Sequence, residues 1–178
     1  MAGDIVATLG PQGTCSEIVL HESLHRFRKP VGYRLFGTYE LAAAAVRRRE
    51  AAFLFVAAAF PGLNLLIFDS KMPLRIVDCF LADTPSLVVA TQARAPSPPQ
   101  TIAAVDAPVP MVRAAFPDTA VVPARSNAHA AVLVASGKAD AGLTTAPAAA
   151  THELSIVRSF GSVPMAWVLL ALPPEQAG

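Results

Sequence analysis

Apolar and polar positions switch between two periods along the chain, and the switches mark out its elements. Ile5 to Leu9 is a short apolar run that stops at Gly10-Pro11-Gln12-Gly13, the punctuation of a tight turn. Ile18, Val19, Leu20, Leu24 and Phe27 then recur at helical spacing, which predicts a helix from Ser16 to roughly Arg28, ended by Lys29-Pro30. Tyr33 to Phe36 alternates as a short strand, and Thr38 caps a predicted helix from Tyr39 to about Glu50. Ala51 to Ala58 is a continuous apolar run of strand length, the pattern of a parallel strand covered on both faces. The order so far is β-α-β-α-β.

A turn at Ala59-Phe60-Pro61-Gly62 leads to Leu63–Phe68, readable as a strand or a short helix, and then to a strand over Leu74–Phe80. Asp83-Thr84-Pro85 interrupts the pattern before a strand at Ser86–Ala90 and the proline-rich linker 95–99, so a crossing into a second lobe is expected there. Further on the pattern predicts strand Thr101–Val105, helix Met111–Phe116, strand Ala120–Val122 and a helix from Ser126 or Asn127 to Ser136 with Gly137 as its C-terminal cap. Strand Ala139–Leu143, a short helix Pro147–His152 and strand Ser155–Phe160 follow. A second break, Gly161 to Pro164, precedes the apolar strand Met165–Leu172, and the tail Pro173–Gly178 reads as disordered. If the last strand returns to the first lobe, the breaks are paired connections between a lobe of residues 1–85 plus 164–178 and a lobe of 86–163. An α/β chain of this kind leaves a cleft between lobes, suited to a small anionic ligand.

Composition narrows the choice. A hydrophobic fraction of 53% in 178 residues supplies ample core, and a net charge of +1 argues against a nucleic-acid surface. Arg47-Arg48-Arg49 falls at a helix end, where cations suit the dipole. The first residues carry an acid without a basic flank, and the longest apolar stretches are too short to cross a bilayer, so a soluble cytoplasmic protein with no membrane partner is expected. Cys15 and Cys79 lack metal spacing, and neither a disulfide framework nor a zinc site is predicted.

Local chemistry concentrates after the first strand. Thr14 and Glu17 are spaced as a capping box, so a helix opens there with unbonded N–H groups, and the hydroxyls of Thr14 and Ser16 add donors. Such an end attracts a carboxylate or phosphate. The stretch is neither a Walker loop nor a dinucleotide fingerprint, and taken alone these nine residues slightly favour an ordinary capped strand-to-helix turn.

Together the motifs resemble the prephenate dehydratase superfamily over nearly the whole chain. The Gly-Pro-x-Gly-Thr-x-Ser loop of that family is matched by Gly10 to Ser16, and its second-lobe segments are similar to Arg125–Ala131 and Ala139–Thr145. The resemblance implies a two-lobed fold of the periplasmic-binding-protein type 2 kind with prephenate in the cleft. Two departures change the implied chemistry. The Thr-Arg-Phe ending of the dehydratases is replaced by Ser162-Val163-Pro164-Met165-Ala166-Trp167, which offers neither an acid for the leaving hydroxyl nor a guanidinium. The usual Pro-Ile-Glu-Asn-Ser segment is replaced by Val56 to Gly62. The Ser-x-Pro-Met-x-Trp ending and Asp83-Thr84-Pro85 look like the non-aromatising prephenate decarboxylases of the bacilysin pathway.

That resemblance implies loss of the ring carboxylate with retention of the hydroxyl, giving a dihydro-4-hydroxyphenylpyruvate. No cofactor is expected, because the ring diene is itself the electron sink. Two carboxylates need two anion-binding corners, assigned to Thr14 and Ser16 and to the helix start at Ser126-Asn127 with Arg125 nearby. Asp106 and His129 are the titratable proton-donor candidates, with Thr84, Thr144 and Thr145 as donors or water holders. Met165 and Trp167 are read as cleft wall or core. A dehydratase with a relocated acid and a binding protein without turnover are the competing readings. A family dehydratase often carries an added regulatory domain for which this chain has no room, as expected outside feedback-controlled phenylalanine synthesis. The partners expected are a small-molecule substrate and a second copy of the chain in a homodimer.

Overall fold

The computed structural model describes residues 5–28 and 31–174, so the expectations for the first four residues, for Lys29-Pro30 and for the end of the tail lie outside the described residues. Strands β1 (Ile5–Leu9), β2 (Gly32–Phe36) and β3 (Phe53–Ala57) run parallel, with β1 in the middle. Helices α1 (Cys15–Glu22) and α2 (Tyr39–Arg47) make the crossovers. Next come α3 (Leu63–Ile67) and the nine-residue strand β4 (Arg75–Asp83). The same scheme recurs: β5 (Leu87–Thr91) opens a second sheet, in which β6 (Thr101–Ala104), β7 (Ala120–Pro123) and β8 (Ala141–Thr145) are the parallel trio joined through α4 (Val109–Ala115) and α5 (Asn127–Ala135). Finally α6 (Ala146–Thr151) leads to β9 (Ser155–Gly161), and β10 (Pro164–Ala171) returns to the first sheet.

The two sheets have matching orders, β2-β1-β3-β10-β4 and β7-β6-β8-β5-β9. In each, the trio is extended by two antiparallel strands, one of which has crossed from the other sheet. The middle strands of each sheet are covered on both faces, so β3 is apolar along its length, Phe-Leu-Phe-Val-Ala. Leu54 and Val56 point to the α2 side, whereas Phe55 stacks at 5.1 Å on Trp167 on the other side. The indole Nε1–H donates to Ala82 O at 3.0 Å, so the buried ring keeps no unpaired donor. The two crossings are tied together, because Thr84 N–H donates to Val163 O and Val163 N–H donates to Thr84 Oγ1, each at 3.0 Å.

Several boundaries differ from the sequence pattern for local reasons. The first helix ends at Glu22 instead of Arg28: the His25 imidazole bonds the Glu22 carbonyl at 2.9 Å, and the chain tightens into a 3₁₀ turn over Leu24–Arg26. Leu63–Ile67 is helical. The strand placed at Ala139–Leu143 begins at Ala141, since Asp140 turns its carboxylate onto the N–H groups of Gln100 and Thr101 and the Thr101 hydroxyl. Among the described residues no helix is long and apolar enough to cross a membrane.

Candidate functional site

A cavity of about 440 Å³ lies between the two sheets. Its first corner is the turn from β1 into α1. Gly10 brings this turn against β2, where its N–H donates to Phe36 O at 2.7 Å and an added Cβ would stand 2.9 Å from Leu35 Cβ. Gly13 follows with φ of +85°, a conformation that suits glycine. Thr14 then caps the helix: its Oγ1 accepts from Glu17 N–H at 3.2 Å and donates its proton to Leu9 O at 2.8 Å. The Glu17 carboxylate answers by accepting from Gly13 N–H and from the Tyr33 hydroxyl. The Thr14 hydroxyl is therefore spent on the loop, a correction to its assignment as an anion donor. What the corner offers a ligand is the set of unbonded first-turn N–H groups and the Ser16 hydroxyl.

Ser16 Oγ forms a short hydrogen bond with the Tyr39 hydroxyl, which also accepts from Ala57 N–H at 3.4 Å. Tyr39 is buried, its ring 4.8 Å from that of Phe60, and burial pushes its phenol up to about 12 against the opposing effect of the Ser16 and Ala57 bonds. Either hydroxyl can be the donor in the Ser16–Tyr39 pair, and both residues line the cavity. Sequence reasoning missed Tyr39. The available signal was an aromatic residue at the first position of a capped helix.

The second corner is the start of α5. Ser126 caps it, accepting His129 N–H at 3.0 Å, and Thr144 holds its first residue by donating to Asn127 O at 2.7 Å. Across the cleft Asn127 Nδ2–H donates to Cys15 Sγ at 3.3 Å, so α1 and α5 touch end to end. Burial pushes the Cys15 thiol up, and the Asn127 bond opposes this in part. Asn127 Oδ1 is buried without a hydrogen-bond partner. Arg125 is exposed and, among the described residues, is the only cationic side chain lining the cavity.

Among the remaining candidates, Asp106, Thr84 and Met165 line the cavity with Thr14, Ser16, Arg125, Ser126 and Asn127. Asp106 stands exposed at the rim, two residues past β6. The Thr84 oxygen is engaged by Val163 N–H, which makes Thr84 first a clasp between the crossings. His129 and Thr144 do not line the cavity, and both assignments are corrected. The His129 ring turns back to accept Arg125 N–H at 3.1 Å on Nδ1, and burial, with Arg125 and Lys138, holds the imidazole below its usual value. Thr144 is fully buried under α5, and Thr145 caps α6. Leu9, Phe60, Pro61, Leu87, Met111 and Trp167 make most of the wall apolar. Among the described residues no cluster of three or more His, Cys, Asp or Glu side chains could hold a metal ion.

The sheet orders, the paired crossings and the cleft between them define a two-lobed α/β fold of the periplasmic-binding-protein type 2 and prephenate-dehydratase-like kind. Solved structures share it at low identity. A prephenate dehydratase from Arthrobacter aurescens in complex with L-Phe superposes with a TM-score of 0.69 at 19% identity, over 96% of this chain and 61% of that one. GqqA, described as a quorum-quenching acylase, gives 0.63 at 18% over 97% and 65%, and the periplasmic VFT2 domain of BvgS from Bordetella pertussis gives 0.57 at 21% over 96% and 81%. The chain thus spans about three-fifths of that dehydratase structure. No family model matches the chain, and no curated protein does so either.

Proposed function

We propose that the cleft binds prephenate and removes its ring carboxylate while leaving the ring hydroxyl in place. The observation that carries this reading is the crossing segment Ser162–Trp167, which brings Met165 and Trp167 into the cleft wall and presents no acid there. A leaving hydroxide needs a proton, and an apolar wall withholds it. The start of α1 with Ser16, and the start of α5 at Ser126 with Arg125, provide the two places for carboxylates. In the reaction the bond from the ring carbon to the carboxylate breaks, carbon dioxide leaves, and the electron pair spreads into the diene. One proton added at a ring carbon completes the balance, and Asp106 at the rim relays it from solvent.

Incubation of the purified protein with prephenate at mildly alkaline pH, with the product followed by mass spectrometry and ultraviolet absorbance, tests the reading. Loss of carbon dioxide alone is expected, and Arg125→Ala is expected to weaken substrate binding by about ten- to a hundredfold, as for loss of one charge-assisted hydrogen bond. Loss of carbon dioxide and water together would make the protein a dehydratase. The second reading, binding without turnover, is favoured by the fold shared with the VFT2 domain, and saturable binding of unchanged prephenate would establish it.

A further inference from the structure

The acids lining the cavity, among the described residues, are Asp106 from the second lobe and Glu40 from the first. The reaction outlined above uses Asp106 and leaves Glu40 without a task. Glu40 is the second residue of α2, a nine-residue helix capped by Thr38, whose Oγ1 accepts Leu41 N–H at 3.2 Å. A capping box needs its carboxylate at the third position, where α1 has Glu17 and α2 has Leu41. Glu40 therefore falls one place short of bonding its own cap, and its exposed side chain makes no hydrogen bond or ion pair among the described residues. The helix start that carries it is fixed all the same, because the preceding residue, Tyr39, is bonded to Ser16.

In prephenate both carboxylates hang from one ring carbon, one directly and one through the pyruvyl arm, and the hydroxyl sits on the carbon across the ring. The two anion corners adjoin, since Asn127 Nδ2–H reaches Cys15 Sγ at 3.3 Å between the starts of α5 and α1. With both carboxylates at that junction, the hydroxyl points away from it. Tyr39 spans from α2 to Ser16 with the whole length of its side chain, so Glu40 stands a tyrosine's length back from the corner, beside the apolar wall of Phe60 and Pro61. We propose, resting on the reading that the cleft takes prephenate, that the Glu40 carboxylate accepts the hydrogen bond of the ring hydroxyl and so selects a hydroxylated ring. An ionised carboxylate accepts hydrogen bonds and donates none, and it holds the hydroxyl without offering the proton that would help it leave. It also sets the direction of binding, because a molecule entering the other way round brings a carboxylate against Glu40.

Phenylpyruvate and 4-hydroxyphenylpyruvate differ only in a hydroxyl across the ring from the pyruvyl arm, and neither has a ring carboxylate to lose. Calorimetric titration of the full chain with each is expected to show the hydroxylated compound bound about ten- to a hundredfold more tightly, as for one hydrogen bond to a charged group. Glu40→Ala is expected to bring the ratio of the two affinities close to one, and the nearly isosteric Glu40→Gln to keep only part of it. A general change in charge acts on both anions alike and cancels in the ratio, and the glutamine variant decides the matter if the alanine variant fails to fold. A parent that binds the two compounds alike, or binds neither, overturns the proposal. So does a preference that survives both substitutions. Decarboxylation is judged separately, from the product formed on prephenate: a hydroxyl preference lost with Glu40, beside a parent that releases no carbon dioxide, keeps the role of Glu40 and sinks the decarboxylase reading.

Discussion

Removing the Tyr39 hydroxyl with Tyr39→Phe is expected to destabilise the protein at neutral pH and to stabilise it, relative to the parent, in strong alkali. At neutral pH the variant loses the bond to Ser16 and the longer one from Ala57. A buried neutral hydrogen bond is worth about 0.5–1.5 kcal/mol net, or a few degrees of melting temperature in a chain of this size. In alkali the sign reverses. Tyr39 is held near 12 in the fold against an ordinary value of 10.0, so above pH 10 the unfolded chain releases this proton while the native chain keeps it. The native state then binds more protons, and stability falls as pH rises. Tyr39 contributes fully below the unfolded value, and by the folded value the loss reaches about 2–3 kcal/mol. Phenylalanine does not titrate, so the two stability curves are expected to cross at about pH 11. Tyr33, also raised, chiefly through its bond to Glu17, titrates alike in both proteins and cancels in the difference. Urea denaturation of parent and variant at a series of pH values measures that difference. A difference that stays constant between pH 10 and 12 would refute the claim that the hydroxyl is buried and bonded.

Two further outcomes follow from the same structure. Thr84→Val keeps the shape but removes the acceptor of Val163 N–H, and is expected to cost about 1–3 kcal/mol in thermal or urea unfolding, with Thr84→Ser nearly harmless. The His129 imidazole is held low in the fold, so when pH falls below its ordinary 6.5 the unfolded chain takes up a proton first. Stability is therefore expected to fall with pH below 6.5, and His129→Asn should flatten that slope in an acid titration of unfolding.

The order of elements was legible because turn residues punctuate it: Gly10 to Gly13 after β1, Thr84-Pro85 after β4, and Gly161 to Pro164 before β10 each stop a clear period. The early end of α1 was not, since it depends on one imidazole competing for the Glu22 carbonyl. The caps at Thr14 and Ser126 follow from neighbours three residues away, which is why local spacing reveals them. Where their hydroxyl protons go is set by tertiary geometry. Tyr39 meets a partner 23 positions away and Asn127 one 112 away, beyond any local pattern. His129 misled for the converse reason: a titratable residue one turn into a cleft-side helix turns its ring back to its own N-terminus.

The position of β10 gives the order of synthesis a thermodynamic meaning. This strand sits between β3 and β4, yet the ribosome makes it only after all of β5 to β9. Until it emerges, β4 has no neighbour in its sheet, while the five strands of the second sheet are already complete. The second sheet has all its strands before the first has the one that joins β3 to β4, and the pairing of β10 with both is non-local in sequence, the kind of contact that forms late because loop closure is paid first. A chain interrupted before Pro164 would keep a finished half beside a half held open, with the edges of β3 and β4 that β10 pairs left bare to any chaperone or neighbouring strand.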